Sequence, residues 1–155
     1  MNSFLRSVCL LVFCLLLVLV SVSDIRYRRI PDKYIIIIGI IGIVSIPFFL
    51  ELSFFGRCIG AVCVAVPLLL FTTLFPGSFG GGDVKLLSVS GFVLGWRNLL
   101  VAFVTGVLLA GIYAVVTLFF LRKEKKTEFP LGPFLCTGIA LAMVWGEEMI
   151  CWFLK

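Results

Sequence analysis

Asp83 follows three consecutive glycines in an otherwise apolar chain, within Gly77-Ser78-Phe79-Gly80-Gly81-Gly82-Asp83-Val84-Lys85-Leu86-Leu87. An acid beside hydrocarbon is expensive to keep, so such a position points to function. Glycines lack a Cβ, so they admit positive φ and let a second backbone approach, as a loop must when it presents a carboxylate to a peptide. The plainer reading is a turn whose acid caps the following helix. The other two aspartates lie in Asp24-Ile25-Arg26-Tyr27-Arg28-Arg29-Ile30-Pro31-Asp32. There the arginines read as topology anchors, Pro31 as a helix start and Asp32 as a cap. Asp24, placed where an apolar run meets the interface, is left without such an explanation.

Two carboxylates on one membrane face can do what neither does alone. At close range like charge prevents both from ionising, so one holds a proton at neutral pH. The charged member activates a water as general base, while the protonated one polarises a scissile carbonyl and donates to the leaving amine. The pair titrates as a unit. This scheme calls on no metal and no cofactor. It suits a chain with no histidine, which excludes Ser-His and Cys-His nucleophiles and HExxH metal sites. The six cysteines (Cys9, Cys14, Cys58, Cys63, Cys136 and Cys151) form no CxxC pair and read as small buried thiols.

The elements that must hold these acids are membrane helices. Of 155 residues, 62% are hydrophobic and 14% charged, well below the roughly 25% of a soluble domain. The length suits one compact bundle, with residues 1–155 as a single membrane domain. Apolar runs cover 7–22, 34–50, 58–75, 84–96, 99–121 and 131–154, with Pro67 expected to kink the third. The fold class expected is all-α, polytopic, with six transmembrane helices. A span needs about 20 residues, so the fourth is short unless the glycine loop dips into the membrane with it. Irregular backbone is tolerated there when buried in protein or lining a watery cavity. The pairs Gly56/Gly60 and Gly91/Gly95 fit close helix packing.

Arg6, the first run and Ser21-Val22-Ser23 also resemble a secretory signal with its cleavage site. Cleavage would leave Arg26, Arg28, Arg29 and Lys33 outside the cell, whereas a retained span leaves them cytoplasmic. Retention is expected. Six spans put Arg26, Arg28, Arg29, Lys33, Lys85, Arg122, Lys123, Lys125 and Lys126 on one side, against Arg6, Arg57, Arg97 and Lys155. The first side is then cytoplasmic, both termini face outward, and Asp24 and Asp83 share the cytoplasmic face. The net charge of +5 is explained by orientation in the bilayer, and no nucleic-acid partner is expected. Glu147 and Glu148 fall near the outward end of the last span, where interface placement or pairing suits them.

The residues from Asp24 to Asp32 resemble the first signature of the type IV prepilin leader peptidases: an aspartate, a basic stretch, then Ile-Pro-Asn/Asp. Gly80 to Leu86 resembles their GxGD motif followed by x-Lys-Leu. Phe129-Pro130-Leu131-Gly132-Pro133-Phe134 resembles a third run that opens the last helix. Three motifs in order are far more specific than a lone GxGD. The resemblance implies that Asp24 and Asp83 are the two catalytic aspartates, with Gly80, Gly81, Gly82 and Lys85 as their supporting loop. Asp32 matches a position that is not regarded as catalytic. The implied hydrolase is an aspartic endopeptidase that removes the short basic leader from prepilins or pilin-like secretion subunits at the cytoplasmic face of the inner membrane. The chain opens directly at its first span without paired CxxC motifs, so it resembles the family's short form. Peptidase activity is expected, and N-methylation of the product stays open.

Two other readings stand beside it. Intramembrane proteases of the presenilin or signal-peptide-peptidase kind share GxGD, but carry tyrosine-aspartate in their first motif, where this chain has Ser23-Asp24. A non-proteolytic transporter, or an assembly subunit of a pilus or secretion machine, would use the acids as proton or cation sites.

Overall fold

The computed structural model describes residues 2–48, 52–75, 79–120 and 130–153. All its regular structure is helical: α1 (Asn2–Tyr27), α2 (Asp32–Val44), a 3-10 turn (Ile46–Phe48), α3 (Phe54–Cys63), α4 (Ala65–Leu74), α5 (Gly81–Leu94), α6 (Trp96–Phe120) and α7 (Gly132–Phe153). The helix ends follow from local chemistry. α1 stops where Arg28 turns left-handed (φ 51°), its N–H still donating to the Asp24 carbonyl. Pro31, extended and lacking an N–H, bars continuation, and α2 begins at the next residue. α3 and α4 form one apolar rod broken at Val64. Pro67 is the cause, because it has no N–H to give the Cys63 carbonyl and its ring crowds that group. Gly95, with φ 79°, closes α5 and lets α6 start at once.

Four stretches are long and apolar enough to cross a membrane: Phe4–Tyr27, Phe54–Leu74, Trp96–Thr117 and Gly132–Cys151. α2 and α5 are shorter, with 13 and 14 residues. At about 1.5 Å per residue neither matches a hydrocarbon core of about 30 Å. The described parts of all six apolar runs therefore carry helix, and four stretches reach membrane length. α1 runs unbroken through Ser21-Val22-Ser23 and buries Phe13, Leu17 and Val20.

α5 is the hub, packing against α2, α3, α4, α6 and α7. Its buried residues, Val84, Leu86, Leu87, Ser90, Gly91 and Leu94 among them, point in several directions, as a helix surrounded by others requires. α3 crosses it with almost no gap: a Cβ on Gly60 or on Gly91 would collide with the backbone of the other. Of the four glycines expected at close crossings, three meet there, since a Cβ on Gly60 would also lie 2.9 Å from the Gly95 carbonyl carbon. Gly56 faces open space, and Gly95 is needed for its positive φ. Arg57 is no loop anchor. It is fully buried in α3, and its guanidinium donates to Ser45 Oγ and to the Phe92 carbonyl, both at 3.4 Å. The outer surface is greasy, with Leu11, Leu15, Leu69, Leu70, Leu108 and Ile112 exposed; apolar area on that scale suits lipid and not water.

Candidate active site

Three helix ends meet at one end of the bundle. The last turn of α1 brings Asp24, the first turn of α5 brings Asp83, and α7 opens beside them at Gly132. Each carboxylate-bearing residue is only 8% exposed. Asp24 Oδ2 accepts the Gly132 N–H at 2.9 Å. The link after Asp24 is folded back on itself, with Ser23 Oγ donating to the Arg29 carbonyl at 3.3 Å. This carries Ile30 onto Gly82, where a Cβ would lie 3.0 Å from the isoleucine Cβ. The segment bearing Asp24 is thereby seated on the turn that bears Asp83.

Asp83 lies in a helix outside the four membrane-length spans. Burial pushes its carboxyl up to about 6, and the nearby charge of Asp24 pushes the same way. A backbone hydrogen bond from Gly80 works against both. The two sequence motifs, 53 residues apart at one contact, are also joined at the surface, where Lys85 Nζ meets Asp32 Oδ1 at 2.8 Å. Among the described residues no three His, Cys, Asp or Glu side chains gather as metal ligands.

Several expectations need correction. The glycines before Asp83 are not a loop: Gly81 and Gly82 form the first turn of α5, Gly80 is its N-cap, and none has positive φ. Gly77 and Ser78 lie outside the described residues. Close approach explains two of the three. Gly82 admits Ile30, and a Cβ on Gly80 would lie 3.0 Å from Asp83 Oδ2, whereas Gly81 opens onto free space. The N-cap of α2 is Pro31 and not Asp32, which lies in the first turn and pairs with Lys85. The thiols are not uniformly buried: Cys136 is, Cys9, Cys14, Cys58 and Cys63 are partly so, and Cys151 is exposed. Glu147 and Glu148 are exposed at the opposite end, around a cavity of about 400 Å³ shared with Arg6 and Asn98. Gly132 was given no role by sequence reasoning. Its signal was the Phe-Pro-Leu-Gly-Pro-Phe run itself, whose first residue, Phe129, lies outside the described residues.

Residues 11–115 match the model of the type IV leader peptidase family. A prepilin leader peptidase/N-methyltransferase of Bacillus subtilis is 30% identical over 151 residues, covering 93% of this chain and 58% of that protein. Proteins of the same name from Legionella pneumophila (29% over 157 residues; 93% and 53%) and Pseudomonas aeruginosa (27% over 144 residues; 90% and 50%) are also similar. The chain spans about half the length of these curated relatives. No solved structure matches it.

Proposed function

Because this chain belongs to the type IV leader peptidase family, we propose that it is a membrane aspartic endopeptidase with Asp24 and Asp83 as its catalytic carboxyls. Its substrates are type IV prepilins or pilin-like secretion subunits, from which it removes the short basic leader at the cytoplasmic face. The observation that carries this reading is the convergence of two buried acids at one end of the bundle, Asp24 held on the start of α7 and the segment that follows it seated on the turn that bears Asp83. Asp83, pushed up to about 6, is the member suited to hold the proton. Asp24, with a backbone N–H on Oδ2, is suited to carry the charge.

In the reaction Asp24 takes a proton from water as the water oxygen attacks the scissile carbonyl. Asp83 polarises that carbonyl, and the C–N bond breaks as a carboxyl proton passes to the leaving amine. Gly81, open to free space beside Asp83, leaves room for an extended peptide strand. The names of the relatives couple leader peptidase with N-methyltransferase. The residues described above support the first activity, and the mass of the product's new N-terminus reads out the second.

The deciding experiment is cleavage, in lipid, of a pilin-like substrate with a basic leader, a glycine and a following hydrophobic helix. Asp24→Asn and Asp83→Asn should each lower turnover by at least about 1,000-fold while the protein accumulates normally. Asp32→Asn, which keeps an acceptor for Lys85, should retain activity within about threefold. If both site variants cut like wild type, or no pilin-like substrate is cut, a transport or assembly role replaces this reading.

A further inference from the structure

We propose that the backbone amide of Gly132 is the positioning group for Asp24, and that α7 acts through it as a third component of the site. The inference rests on the peptidase reading for its consequence in turnover, but its geometry stands without it. The first N–H groups of a helix have no partner within the helix. In α7, Pro133 has no N–H, and those of Phe134 and Leu135 both go to the Leu131 carbonyl, at 3.1 and 3.2 Å. The Gly132 N–H is therefore the donor this turn directs outward, and Asp24 Oδ2 receives it at 2.9 Å in a buried bond between residues 108 apart in sequence. The pairing also answers an electrostatic need. Asp24 sits in the last turn of α1, the negative end of that helix, and the positive end of α7 offsets it.

The fit admits no side chain at position 132. A Cβ there would lie 2.6 Å from Asp24 Oδ2, 2.8 Å from its Cγ and 3.0 Å from its Cβ, so its three nearest atoms all belong to Asp24. Another glycine of α7 provides the contrast. Gly138 is hemmed in by the Ala102 carbonyl and the Gly106 backbone of α6, so it serves helix packing. Gly132 is glycine for the carboxylate, and Gly138 for the neighbouring helix.

Gly132→Ala should lower kcat by about 100-fold, the scale of misplacing a reacting group by about an ångström, with KM changed less than about threefold. A readout independent of activity uses the chain with Asp32→Asn and Asp83→Asn, in which Asp24 is the only aspartate. With carbon-13 aspartate, its carboxylate stretch should move when Gly132→Ala is added and stay in place when Gly56→Ala, whose Cβ meets nothing within 4 Å, is added. If Gly132→Ala lowers thermal stability, adding Asp24→Ala should recover most of the loss, because the clash is with that side chain. An unmoved stretch, or a stability loss of equal size with and without Asp24, overturns the inference. A moved stretch in a protein that cuts no pilin-like substrate keeps the inference and removes the peptidase reading.

Discussion

Asp83 occupies the favourable end of its helix, in the first turn of α5, and still sits well above an ordinary carboxyl because burial and the charge on Asp24 outweigh the helix. The sign of one perturbation follows. Asp24→Asn removes the second cause and leaves burial, so Asp83 should titrate below its wild-type value of about 6 yet above the ordinary 3.8. In a carbon-13 aspartate-labelled chain carrying Asp24→Asn and Asp32→Asn, Asp83 reports alone. An unchanged midpoint would mean that the acids are too far apart to share a proton. These two residues were legible in the sequence because an acid at the edge of an apolar run has to be accounted for. Gly132 was not, because a glycine offers chemistry only through its amide, and its partner lies 108 residues away. The Lys85–Asp32 pair was equally hidden, since both residues have local readings as a motif lysine and a helix cap. Exposed as it is, the pair is a weak brace worth about 0–1 kcal/mol.

Helix identity was readable element by element, since each apolar run became a helix, and Pro67 broke the third rod at Val64. What the sequence concealed was how each glycine is used. Spacing suggested two small-residue pairs on α3 and α5, but a crossing point depends on the relative rotation and height of two helices, which spacing on either one does not contain. Gly60 of α3 meets the backbone of both Gly91 and Gly95, whereas Gly56 faces open space. The same ambiguity turned an expected glycine loop into the first turn of α5. Gly91→Ala should therefore force α3 from α5 and destabilise the protein by roughly 1–3 kcal/mol, as overpacking does. Gly56→Ala, with nothing within 4 Å of the added carbon, should change stability by no more than about 0.5 kcal/mol. Thermal unfolding in detergent compares the two. Since α5 carries Asp83, Gly91→Ala should lower cleavage as well, and equal melting temperatures for both variants would refute the close crossing.

The whole molecule has two unlike ends. Asp24, Asp83, Asp32, Lys85 and Gly132 gather at one, while Arg6, Asn98, Glu147 and Glu148 line a cavity at the other. The orientation proposed for this axis in a membrane rests on charge. With Arg57 buried among helices, the outward tally shrinks to Arg6, Arg97 and Lys155. The nine basic residues that share the site's side in the six-span sequence reading, four of them in 122–126 outside the described residues, are unaffected, and this charge difference is what supports the proposed cytoplasmic site. A fluorescent protein that matures only in the cytoplasm should glow when inserted at 122–126 and stay dark when fused after Lys155. Alkaline phosphatase, active only outside, should give the opposite pattern. The reverse result for both reporters would put the two acids on the outer face. A leader rich in basic residues is itself held inside by the same rule. Enzyme and leader would then never meet, and the leader-peptidase reading would fail on topology alone, however well the two carboxylates are arranged.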